Sequence, residues 1–89
     1  MSAKFSMGRT YMTPAAMAEL DPRDVTEGLR RHAAGDWGDC GPEDAAENDF
    51  AVSRDLRLFS VYRDRNDTKF WVITEADRSA TTVLLPDDY

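Results

Sequence analysis

Two different spacings of apolar residues divide the chain near its middle. In the first half they recur at helical intervals. Thr13-Pro14 reads as a cap followed by the first helical position, and it opens a short helix through residues 15–20. Asp21-Pro22 repeats that signal at once, so the chain turns and begins a second helix. In that helix Val25, Leu29, His32 and Ala33 fall on one face, and Gly35 provides the stop. Gly41-Pro42 opens a third helix with Glu43 and Asp44 in its first turn, where the helix dipole favours carboxylates. Its inner side is expected to carry Ala46, Phe50 and Ser53. Residues 1–12 show no period and read as an arm or a short edge strand.

The second half changes to runs rich in β-branched and aromatic residues, at 56–62, 69–74 and 81–85. Arg65-Asn66-Asp67-Thr68 is a hairpin turn between the first two, and residues 75–80 form a longer polar loop before the third. Connections this short make antiparallel neighbours, so the expectation is a three-stranded antiparallel meander. The middle strand is apolar on both sides, with Phe70 and Val72 on one and Trp71 and Ile73 on the other. One face must pack on the helices. The other is covered by the N-terminal arm or offered to a partner. Two or three helices followed by a sheet give the α+β class, in a single domain spanning residues 1–89.

Composition narrows the function classes. The 89 residues are 42% hydrophobic, enough for a modest core and too few to frame a deep polar cleft. No apolar run reaches membrane-spanning length, and the first residues lack the apolar stretch of a secretory signal. One cysteine, Cys40, leaves no internal disulfide, which suits a reducing cytoplasm. The net charge of −6 is concentrated in residues 36–55. There Asp36, Asp39, Glu43, Asp44, Glu47, Asp49 and Asp55 face Arg54 alone. Such a segment repels nucleic acid and attracts a basic protein surface, or else is simply a solvated helix face.

Candidate chemistry is sparse. His32 and Cys40 are the lone members of their types, short of the four ligands a structural zinc needs. His32 near a helix end is explained by the favourable field at a helix C-terminus. Cys40 has no nucleophile signature around it. Glu43 and Glu47 share a helix face, but nothing apolar surrounds them to raise a pKa for acid–base work. Gly35-Asp36-Trp37-Gly38-Asp39 is the most distinctive loop, with Trp37 either an interface anchor or folded back onto the core. Arg57, Arg63, Arg65, Lys69 and Arg78 beside Tyr62, Phe70 and Trp71 suggest a sheet for single-stranded RNA, but nearby acids cancel their charge. A second enzymatic reading is a small barnase- or RelE-like ribonuclease, with His32 as acid–base and Arg57, Lys69, Thr81 or Thr82 holding phosphate.

The tracts Gly35-Asp36-Trp37-Gly38-Asp39, Lys69-Phe70-Trp71-Val72-Ile73-Thr74-Glu75-Ala76-Asp77-Arg78-Ser79 and Thr81-Thr82-Val83-Leu84-Leu85-Pro86 with the final Asp88-Tyr89 resemble a group of small bacterial proteins labelled plasmid-related. The likeness covers roughly residues 12–89, is most specific from Lys69 onward, and departs before Thr13 and between Asp49 and Asp55. The resemblance implies a setting on plasmids, integrated elements and phages, where short acidic proteins disarm host defences, as anti-CRISPR and anti-restriction proteins do. The expectation is a non-enzymatic, cytoplasmic inhibitor, monomeric or homodimeric, with no cofactor, metal or catalytic residue. Asp36, Trp37, Asp39, Glu43, Asp44 and Glu47 would bind a basic surface of a host complex, a CRISPR–Cas effector foremost, without direct contact to nucleic acid or membrane. The alternatives are the ribonuclease and a plain accessory or dimerisation module.

Overall fold

The computed structural model describes residues 3–89. Strand β1 (Arg9–Met12) leads into three helices, α1 (Pro14–Glu19), α2 (Pro22–Ala33) and α3 (Pro42–Val52). Strands β2 (Leu58–Arg63), β3 (Lys69–Thr74) and β4 (Ala80–Leu84) follow, and a single 3₁₀ turn (Pro86–Asp88) ends the ordered path. The class is α+β as expected, and all three helices begin at the prolines that announced them. Thr13 and Asp21 supply the side-chain caps of α1 and α2. No helix among the described residues is long and apolar enough to cross a membrane.

The sheet corrects the expected all-antiparallel meander. It has four strands in the order β1-β4-β3-β2 and is mixed, because β1 lies parallel to β4. The meander itself is present, with β2–β3 and β3–β4 antiparallel. Residues 9–12 are therefore an edge strand that lengthens the sheet, not an arm across its outer face. Parallel pairing needs a long crossover. The helices and the first hairpin together supply it.

Strand alternation assigns the two faces. Leu58, Ser60, Tyr62, Phe70, Val72, Thr74, Thr81 and Val83 point towards the helices. Tyr62, Phe70, Val72 and Val83 pack with Ala16, Leu20, Val25 and Leu85 to form the main core. Helix α2 sits close on this face: a β-carbon at Gly28 would lie 3.0 Å from the Phe70 ring. A smaller cluster of Trp37, Ala51 and Leu58 closes the other end.

Helix α3 is rotated by about one position from the expected phase. Asn48 and Ala51 are buried, whereas Ala46 and Ser53 are exposed and Phe50 is 54% exposed. Hydrogen bonding decides this. Asn48 donates to the Phe59 carbonyl at 2.6 Å and accepts from the Phe59 amide at 3.0 Å. An unpaired backbone pair at the edge of β2 costs more than leaving one phenylalanine in water.

Candidate acidic and aromatic surface

The loop after α2 is built to seal the edge of β2. Gly38 sits at φ 73° and forms a parallel bridge with Val61. A β-carbon there would fall 2.0 Å from the Val61 carbonyl oxygen, so only glycine can make this approach. Val61 donates to the Trp37 carbonyl at 3.1 Å, and the Asp39 amide donates to the Val61 carbonyl at 2.7 Å. With Asn48 on Phe59, most of the backbone on this edge is paired.

The six residues expected to bind a partner then separate into two groups. In the loop, Asp36 is held by Arg31 at 2.8 Å and accepts from the Gly38 amide. Arg31 keeps the Asp36 carboxyl below its usual range. Asp39 lies 3.6 Å from Arg63. Trp37 is 5% exposed, stacked near Phe5 with His32 edge-on, and its indole N–H donates to Asp49 at 2.9 Å. Of the two roles weighed for Trp37, the structure shows the ring folded onto the core, in the second cluster. On α3, by contrast, Glu43, Asp44 and Glu47 are exposed, and none pairs with a cation among the described residues.

Beside these carboxylates runs a groove of about 390 Å³, walled by Asp44, Glu47, Phe50, Leu56, Arg57 and Phe59. It continues across Arg57 and Phe59 into a second groove of about 330 Å³ on the outer face of the sheet, completed by Trp71, Ile73 and Tyr89. Phe59 meets Trp71 edge-on at 5.0 Å, and Trp71 meets Tyr89 at 5.6 Å. Arg57 donates to the Tyr89 hydroxyl at 2.8 Å and lies 3.6 Å from Glu75, which offsets its charge. Among the described residues Phe50, Leu56 and Tyr89 are three of the five large apolar side chains most exposed to water, so exposed apolar area gathers here. Sequence reasoning set Trp71 and Ile73 on one side of the middle strand and Phe70 and Val72 on the other, without choosing which faced out. It missed Phe50, Leu56 and Tyr89 because their exposure depends on the phase of α3 and on the final turn.

His32 is fully buried, which corrects the expectation that it answers the helix C-terminus as a cation. It contacts Ser60 at 2.5 Å through Nδ1 and Thr74 at 2.9 Å through Nε2. Thr74 is 2.7 Å from Thr81, which donates to the Met7 carbonyl. A carbonyl only accepts, so each proton along the chain has one direction. Thr74 donates to Thr81, His32 Nε2–H donates to Thr74, and Ser60 donates to the bare Nδ1. Burial, with Arg78 nearby, depresses the His32 pKa to about 4. The ribonuclease constellation is split by the sheet: His32 and Thr81 lie inside, while Lys69 and Thr82 belong to the opposite face and Arg57 borders the outer groove. Cys40 donates its thiol to the Phe59 carbonyl, and burial pushes its pKa up. No cluster of three metal-binding side chains occurs among the described residues. The chain matches no known protein-family model, no characterised protein and no solved structure.

Proposed function

We propose that this chain is a non-enzymatic binding protein that docks the acidic face of α3 onto a basic surface of a partner protein. The observation that carries the reading is the contrast in how carboxylates are used. Asp21, Asp24, Glu27 and Asp36 are each spent on an arginine of the same chain. Glu43, Asp44 and Glu47 are left together on the exposed side of one helix, with no cation paired to them among the described residues. Electrostatic complementarity of that kind speeds encounter and selects basic surfaces.

The resemblance to plasmid-related proteins supplies the setting, and the partner proposed is a host defence complex, a CRISPR–Cas effector first. The carboxylates of α3 would occupy a groove that otherwise holds nucleic-acid phosphates, and the effector would lose its target. The test is target cleavage by purified effectors, with and without this protein, alongside the variant Glu43→Gln, Asp44→Asn, Glu47→Gln. Asp36 is left intact in that variant because its pairing with Arg31 shapes the loop. Inhibition by the native chain, lost in the variant while its circular dichroism is unchanged, is the expected result. Undiminished inhibition by the variant would overturn the acidic contact, and absence of inhibition across the effector panel would overturn the choice of partner.

A further inference from the structure

We infer that the anchor of this interface is supplied by the partner: the outer-face groove receives an apolar side chain from a segment whose neighbouring basic residues meet α3. This rests on the reading of α3 as a surface for a basic partner and adds the chemistry of the segment that fits it. Trp37, the side chain expected to act as an anchor, is locked in the core and bonded to Asp49. What the surface offers instead is a concavity. Ile73, 4% exposed, forms its floor, with Phe59, Trp71 and Tyr89 around it.

Charge complementarity selects the occupant. The adjoining groove shares Arg57 and Phe59 with the aromatic one and carries Asp44 and Glu47 on its far wall. A segment crossing both would place an apolar residue over Ile73 and a lysine or arginine beside Asp44 and Glu47. Arg57 at the junction is already engaged with Tyr89 and Glu75 and presents little unbalanced charge to repel it. The same carboxylates disfavour a nucleic-acid strand stacking on Trp71, since phosphates would approach them.

The experiment uses fluorescent short peptides of defined composition: one of lysine and serine, one with leucine replacing adjacent serines, and one with leucine and glutamate. Burying a leucine side chain should make the second bind roughly tenfold tighter than the first, or more. The Trp71 indole N–H resonance should move on binding, while that of Trp37 stays fixed. Tyr89→Ser should take away the leucine-dependent gain. In Glu43→Gln, Asp44→Asn, Glu47→Gln both lysine peptides should weaken while the ratio between them persists. Equal affinities for the lysine peptides with and without leucine would overturn the inference and leave the acidic contact standing. Preference for the glutamate peptide, or a Trp71 shift with an oligouridylate in its place, would overturn it as well. If Tyr89→Ser fails to fold, Trp71→Ala in the same groove serves as the second probe, and an unchanged leucine gain there counts against the proposal.

Discussion

At the scale of single residues, His32 is the group whose chemistry departs most from its ordinary behaviour. Its folded pKa of about 4 lies below the reference value of 6.5. Between those pH values the unfolded chain takes up a proton that the folded chain refuses, so stability falls as pH drops through 6.5 and levels off near 4. By pH 5 the loss should be about 2 kcal/mol. Urea unfolding at pH 7 and pH 5 measures it, and His32→Gln should flatten the difference even though it lowers stability overall. Gly38 gives a second residue-scale expectation. Alanine there must adopt a left-handed backbone and also meet the Val61 carbonyl. Gly38→Ala should therefore destabilise by roughly 3 kcal/mol, read from the urea midpoint. Neither role was visible in the amino-acid order. The Gly35–Asp39 tract announced a special loop, but a buried imidazole and a helix-end cation look alike until Ser60 and Thr74 are seen beneath it.

Among the elements, α3 shows where pattern reading reaches its limit. Its start was legible because Gly41-Pro42 and the following acids act locally. Its face was not, since apolar spacing pointed to Phe50 while the phase is set by Asn48 bonding to a backbone eleven residues away. Asn48→Ala would remove its two hydrogen bonds with Phe59, leaving the carbonyl only the weak Cys40 thiol, and cost about 2 to 3 kcal/mol. Asn48→Asp should cost a similar amount, because the carboxylate can still accept from the Phe59 amide but cannot donate to its carbonyl. Thermal unfolding of both variants checks this, and a shift smaller than that of a neutral surface change such as Ala46→Ser would show α3 to be held by packing alone. The hairpin between β2 and β3 behaved in the opposite way. Asp64 accepts from the Asn66 and Thr68 amides within the turn, so the turn is encoded in its own residues. The Asp64 carboxylate also accepts from the Asp21 amide, fastening the hairpin to the start of α2.

For the whole molecule, the strands of the second half were readable from composition, whereas the parallel edge was not. Four residues are too short for alternation to show, and their partner strand lies at the other end of the sequence. Removing residues 1–12 would expose the edge of β4 and take away the carbonyl that ends the chain of hydroxyls from His32. The shortened protein should lose several kcal/mol and self-associate through the bared strand, which sedimentation velocity would detect. The candidate surface divides in the same manner: its charge could be counted along the chain, but the groove beside it exists only once α3, β2, β3 and Tyr89 converge. The pairing of β1 with β4 carries a consequence for synthesis. Met7 and Thr81 are 74 positions apart, and β4 is the strand through which β1 joins the rest of the sheet. A nascent chain can assemble its helices and the β2–β3 hairpin while still growing, yet its first strand must wait unpaired until residues 80–84 clear the ribosome. Closure of the sheet therefore carries the entropy of a long loop and is expected to slow folding in a way that helix formation cannot hasten.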